Sequence, residues 1–260
     1  AAGRCRLVYV APERLRNTQF LEALRNQTIG LLVVDEAHCI SEWGHDFRPD
    51  YLHIAKFRDA SGNPLTTALT ATATPKVQDD IAGLLHLPSI QRIVTGFNRP
   101  NLALHVRYVS DLKQRLKALH ELLADHDDGA VIVYTGTRRE AEEAAEFASS
   151  VAGGKAQHYH AGLPSEERTR IQEMFMAGDL SIVAATNAFG MGIDRADVRQ
   201  VIHFSLPGSL EAYYQEAGRA GRDQLPARAT LLYSPEDRAL QEWFIESSTV
   251  SVNDLRLLFN

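Results

Sequence analysis

Residues Leu31–Tyr51 read LLVVDEAHCISEWGHDFRPDY, and their pattern decides the fold. The stretch opens on an unbroken apolar run, Leu31–Val34. Such a run marks a strand buried on both faces, as in a parallel sheet between helices. Two carboxylates, Asp35 and Glu36, follow directly. Ligands of open parallel sheets bind at the carboxyl ends of the strands, so both acids fall at the mouth of a sheet. For a bare Asp-Glu pair at a strand end, a harmless turn is the preferred reading. Ala37-His38 and a polar–aromatic loop with Trp43, His45, Phe47 and Arg48 make this stretch more specific than the pair alone.

Outward from it, strand-like and helix-like segments alternate, which favours parallel sheets with right-handed crossovers. Upstream, Arg6–Val10 reads as a strand, and a Pro-started turn leads into a helix with Phe20, Leu21 and Leu24 on one buried face. Downstream, Leu52, Ala55 and Phe57 suggest a helix, and Leu65–Leu69 a strand. Thr74 and Pro75 suit the N-cap and first position of the next helix. Ile93–Thr95 reads as one more strand. The turn-rich segment after it is the best boundary by composition, giving a first domain over 1–96, a second over 97–235 and a helical start of an extension over 236–260.

In the second domain Leu102–Tyr108 alternates, so one face of that strand is apolar. A helix after Ser110 places Leu112, Leu116, Leu119 and Leu123 on one side. Ala130–Tyr134 is a buried strand, and Thr137 with Glu140 spells a capping box. Further strands are expected at Gln157–Tyr159, Leu180–Ala184, Val198–Phe204 and Ala229–Tyr233, with helices starting near Ser165, Ser209 and Ser234 and a last piece at Asp254–Phe259.

Composition narrows function only a little. The chain has 260 residues, 45% hydrophobic and 23% charged, and no apolar run long enough to cross a bilayer. Its net charge of −6 offers no general attraction for nucleic acid, so any DNA must be held by a local groove. Two cysteines, Cys5 and Cys39, cannot hold a metal alone, and a reducing cytosol is the preferred setting. No GxxxxGK[ST] string is present; Gly153-Gly154-Lys155 is followed by Ala156 and reads as a turn.

Seven strings run in order from Tyr9 to Asp223: YVAPERL, DEAH with CISEWGHDFRPDY, LTATATP, FNRPNL, YHAGL, AFGMGID and QEAGRAGRD. Together they resemble the RecQ family of superfamily 2 DNA helicases. The resemblance implies an α/β fold of two RecA-like parallel-sheet domains in tandem. It also implies that the first is truncated at its N-terminus, because the family's P-loop lies upstream of DEAH. The cofactors implied are ATP and Mg²⁺, and the partners single-stranded and duplex DNA, with no membrane and no indicated protein partner. Movement would run 3′ to 5′, in the cytoplasm with the nucleoid. Without the P-loop, these residues alone would not hydrolyse ATP appreciably. The family's zinc module lies beyond the motor, so no zinc ligands are expected here.

By the same resemblance, Asp35 would hold Mg²⁺ through water, since Mg²⁺ dehydrates reluctantly. Glu36 would orient and deprotonate the attacking water. Arg219 and Arg222 would meet the γ-phosphate, whose spread charge suits a planar guanidinium. The alternative for those two is a solvated basic helix cap. His38, Thr70, Thr72, Gly192, Asp194 and Gln215 would bind nucleotide or couple it to movement. Arg14, Trp43, His45, Phe47, Arg48, Asn98, Arg99, His160 and Thr186 would touch DNA. Trp43 and Phe47 offer stacking surfaces worth about 1–3 kcal/mol per base, or else simply pack against their domain. His160 is equally a satisfied surface histidine. One departure stands out, Gln224 where the family has glycine, which puts the local turn in doubt. Two other readings remain: an RNA helicase of the same superfamily, and a non-hydrolysing module that binds single-stranded DNA or a partner.

Overall fold

The computed structural model describes residues 6–44, 46–96, 98–125, 129–190 and 193–248. The chain divides into two compact units, Ala1–Gly96 and Phe97–Asn260.

In the first unit a short 3-10 turn, Pro12–Arg16, precedes α1 (Thr18–Leu24), whose N-cap Asn17 accepts the Phe20 N–H at 2.9 Å. Strand β1 (Leu31–Val34) pairs in parallel with β2 (Leu65–Ala68), α2 (Leu52–Ala60) lies between them in sequence, and α3 (Pro75–Leu84) follows, capped by Thr74. Val34 joins Ile40, Tyr51, Ile54, Val77, Ile81 and Leu85 in a core, with Leu32 packed on it. The opposite face of β1 is open, with Leu31 52% and Val33 50% exposed. The expected two-sided burial therefore holds on one face only. Residues 6–10 and 93–95 form no strand, against expectation. A strand is stable only as part of a ladder, and among the described residues the sole pairing in this unit is β1 with β2. The helix α1 likewise has no buried residue.

The second unit is a six-stranded parallel sheet in the order β3-β8-β7-β4-β6-β5, with β3 Leu102–Tyr108, β4 Ala130–Tyr134, β5 Ala156–Tyr159, β6 Ile182–Ala185, β7 Val198–His203 and β8 Ala227–Tyr233. Helices α4 (Leu112–Ala124), α5 (Arg138–Val151), α6 (Ser165–Ala177), α7 (Leu210–Ala217) and α8 (Pro235–Ser248) intervene or follow. Every residue of β4 is buried, and alternate residues serve two cores. Ile132 and Tyr134 face the core containing Phe175 and Phe189, while Val131 and Val133 face the one containing Leu119 and Phe204. Burying each such side chain contributes about 1.5–3 kcal/mol. The capping box forms as spelled: Thr137 accepts the Glu140 N–H at 3.2 Å, and Glu140 accepts the Thr137 N–H at 3.0 Å. Strand β3 has the bounds expected. Its alternating face of Leu104, Val106 and Tyr108 is apolar but exposed, since no described element covers it. Asp254–Phe259 lies outside the described residues.

Candidate nucleotide and nucleic-acid site

At the carboxyl end of β1 the backbone turns sharply. Glu36 adopts φ 47°, ψ 44°, a left-handed conformation uncommon for a residue with a side chain. The Asp35 carboxylate accepts the Glu36 N–H at 2.9 Å and supports that turn. Backbone bonds then stitch this segment to the end of β2: Leu69 N–H donates to Val34 O at 2.8 Å, and Ala37 N–H to Leu69 O at 2.9 Å. The side chains continue the seam. Buried His38 places Nδ1 2.9 Å from the Thr70 hydroxyl and 3.4 Å from Glu36 Oε2. The Thr70 hydroxyl accepts the Thr72 N–H at 3.3 Å. Thus Glu36, His38, Thr70 and Thr72, four residues proposed on sequence grounds, form one connected group. Asp35 is exposed, and a single hard carboxylate suits Mg²⁺ that keeps most of its water.

The loop after DEAH is anchored from within. His38, Cys39, Ile40 and Ser41 are buried, and Ser41 donates to Asp80 at 2.6 Å. A Cβ on Gly44 would sit 2.4 Å from His38 O, so only glycine lets the loop fold back this tightly. Trp43 is 68% exposed, with the Lys76 ammonium 3.1 Å from its ring centroid. Phe47 is half-buried, and Arg48 binds Asp46 through Nε and Nη2 at 3.1 and 2.8 Å. Burial pushes the Cys39 thiol up to about 11 and the Tyr51 hydroxyl up to about 12. Tyr51 also donates to Asp35 O at 3.2 Å. Arg14 is exposed, its guanidinium 5.7 Å from the Phe20 ring. His45 lies outside the described residues.

In the second unit several side chains, arginines foremost, hold the glycine-rich segment after α7. Arg219 Nη1 donates to Gly190 O at 2.6 Å, and a Cβ on Gly190 would lie 2.5 Å from Arg219 Nη2. Arg222 pairs with Asp194 at 2.7 Å. Arg99 donates to the carbonyls of Gly218, Ala220 and Gly221 at 3.1, 3.0 and 2.8 Å. Arg99, grouped with the DNA contacts by resemblance, thus has its guanidinium engaged in clamping this segment. Gln224, in place of the family's glycine, takes φ 68°, so the turn survives the departure at the cost of a left-handed side-chain residue. Asn98 is exposed, while Gln215 and Thr186 are half-buried, with the Thr186 N–H on Tyr159 O at 3.2 Å. His160, 5% exposed, lies at the end of β5 beside Glu142. Gly192 lies outside the described residues.

Several partners escape sequence reading. Gly44 stands in a quoted string, and a lone glycine amid bulky neighbours was the available signal. Lys76 and Asp46 acquire their roles only through the fold.

A parallel-sheet unit with acids at a strand end, followed by one with an arginine-bearing glycine segment, resembles a tandem RecA-like helicase core. The pattern of the DEAD/DEAH box helicase family matches residues 1–81, and that of the helicase conserved C-terminal domain matches 114–224. The chain belongs to the RecQ family of these helicases. It is 43% identical over 97% of its length to the probable ATP-dependent DNA helicase RecS of Bacillus subtilis, covering 51% of that protein. It is 44% identical over 95% of its length to the ATP-dependent DNA helicase RecQ of the same organism, covering 41% of it. The chain therefore spans about half or less of these relatives. Among solved structures it resembles Mycobacterium smegmatis helicase Lhr bound to ssDNA and AMP-PNP, with TM-score 0.70, 20% identity, and 92% of this chain and 34% of that one covered. It also resembles S. cerevisiae Dbp5 bound to RNA and ADP BeF3, with TM-score 0.67, 20% identity, and 86% and 61% covered. At that identity the likeness concerns the fold.

Proposed function

We propose that this chain is the motor part of an ATP-dependent DNA helicase that couples hydrolysis to 3′-to-5′ movement along DNA. The observation that carries the reading is the seam Glu36–His38–Thr70. It joins the acid suited to activate water to the segment after β2 through a buried imidazole. Strain at Glu36 fits a site where the side chain must be aimed rather than relaxed. Asp35 would hold Mg²⁺, which would supply positive charge against the phosphates. Glu36 accepts the proton of the attacking water. Arg222 leaves Asp194, and Arg219 leaves Gly190 O, to meet the γ-phosphate when nucleotide binds. Trp43 and Phe47 meet bases, and a DNA contact there reaches Glu36 through the short 3-10 turn that carries His38. Because these residues contain no phosphate-cradling glycine loop, they alone turn over ATP only at background rate.

The test uses the longer protein containing this chain, with turnover measured with and without single-stranded DNA. Glu36→Gln lowers the stimulated rate by about 10²–10⁴, and Arg222→Ala by about 10³–10⁵, with nucleotide binding retained. Full activity in Glu36→Gln sinks the catalytic assignment. Stimulation by RNA in preference to DNA would favour an RNA helicase, and binding of DNA without any turnover a non-hydrolysing module.

A further inference from the structure

The second unit carries a cluster that the motor chemistry does not use. His158 is in β5, the outermost strand of the sheet, and His160 is two residues on, so both side chains leave the same face. Their rings stack at 5.3 Å with an interplanar angle of 16°. Glu142, on α5, reaches over them, its Oε1 3.1 Å from His160 Nε2. One donor atom from each of the three lies within 4.8 Å of the others. Buried His160 also has a ring nitrogen, Nδ1, with no hydrogen-bond partner.

We propose that Glu142, His158 and His160 form a binding site for a divalent transition-metal ion, Zn²⁺ foremost. Two imidazoles and one carboxylate are a donor set that Zn²⁺ takes with an open fourth position. Hard ions such as Mg²⁺ are a poor match, since they prefer all-oxygen shells. A tetrahedral Zn²⁺ with bonds near 2.0–2.1 Å needs its ligands about 3.4 Å apart. Glu142 Oε1 and His160 Nε2, 3.1 Å apart, already meet that spacing, so the movement that closes the site falls to His158, partly buried on the outermost strand. The buried His160 ring is already held in place, which lowers the ordering cost of binding. A positive group stands nearby: a Cβ on Gly162 would meet Arg138 Nη1 at 3.0 Å and His160 Nδ1 at 3.1 Å. Arg138 is exposed and precedes Glu142 by one helical turn, so it opposes the ion by charge without filling its place. This site is a departure from the expectation that the chain holds no zinc ligands.

The experiment titrates the full chain with Co²⁺, a coloured substitute for Zn²⁺, and follows the visible bands of a nitrogen- and oxygen-ligated ion, with Zn²⁺ displacing it. One ion binds per chain. His158→Ala and Glu142→Gln each weaken binding by at least about 100-fold, the upper range for losing even an outer-sphere partner, while the circular dichroism of the chain is unchanged. Arg138→Ala tightens binding, a change of opposite sign that general damage to the fold does not produce. The absence of saturable Co²⁺ binding overturns the proposal. So does binding that persists unchanged in His158→Ala and Glu142→Gln, which would assign the ion to other histidines.

Discussion

Strands β1 and β4 carry the same signal in sequence, a run of apolar residues without alternation, yet they end in different surroundings. All five residues of β4 are buried, flanked by β6 and β7 and covered on both faces. In β1 only Val34 is fully buried, while Leu31 and Val33 are half in water. An apolar run states what a strand needs, and the neighbours decide whether the need is met. Stability in the second unit therefore rests on the interior of its sheet. In the first unit it rests on the group of Val34, Ile40, Tyr51, Val77 and Ile81 on one side of a two-stranded ladder.

The strongest way to break this comparison is to cut matching side chains from the two strands. Ile132→Ala in β4 removes a fully buried side chain and lowers the stability of the second unit by about 2–5 kcal/mol. Val33→Ala in β1 removes surface that is already half solvated and costs less than about 1 kcal/mol. Hydrogen exchange resolved by peptide reads each unit separately as urea is raised. Equal losses in the two would show that β1 is covered in solution on the face left open here.

The units also differ in the pH range where they weaken. In the first, burial pushes the Cys39 thiol from 9.0 up to about 11 and the Tyr51 hydroxyl from 10.0 up to about 12. A raised pKa means that the folded state holds a proton which the unfolded chain releases. The stability that Cys39 contributes is thus full below pH 9 and lost as pH rises toward 11. In the second unit, buried Tyr134 is also raised, but its loss begins a unit higher, at the ordinary tyrosine value of 10.0. A hydrogen bond from Arg195 holds the Asp197 carboxyl below 3.8, so its contribution is present above 3.8 and lost as pH falls through the folded value. Between pH 9 and 10 the first unit softens before the second, and Cys39→Ala removes that early step. Softening of both units together, or no change in Cys39→Ala, would contradict the assignment.

How much of this was legible beforehand depends on the range of the interaction. Local signals held: Thr74 with Pro75, the Thr137–Glu140 box and the β4 run all appear where the chain spells them. Residues 6–10 and 93–95 failed as strands because β-pairing is decided by distant partners, not by the segment itself. Strand β3 has the expected bounds, but its apolar face is exposed, since alternation tells that one face is apolar but not that anything covers it. In the candidate site, the residue types came from the strings, whereas Arg99 on three carbonyls and Lys76 over Trp43 required the fold.

The smallest expected effect compares the two threonine caps. Thr137 accepts the Glu140 N–H at 3.2 Å, and Glu140 returns the bond to the backbone N–H groups of Gly136 and Thr137, both at 3.0 Å. Thr74 accepts the Val77 N–H at 3.4 Å, near the limit of a useful bond, and Gln78 at its N4 position donates instead to Ala73 O at 3.0 Å. A reciprocal cap satisfies two or more helix-end donors, while a single long bond satisfies one of them poorly. Thr137→Ala should therefore cost about 1 kcal/mol or slightly more, and Thr74→Ala only a few tenths. Because Pro75 already presets the first turn of α3 and lacks an N–H, part of what a cap does there is supplied by the proline. Pro75→Ala combined with Thr74→Ala should then cost more than the sum of the two single changes in urea melts. Simple additivity would mean that the long Thr74 bond, not the proline, starts α3.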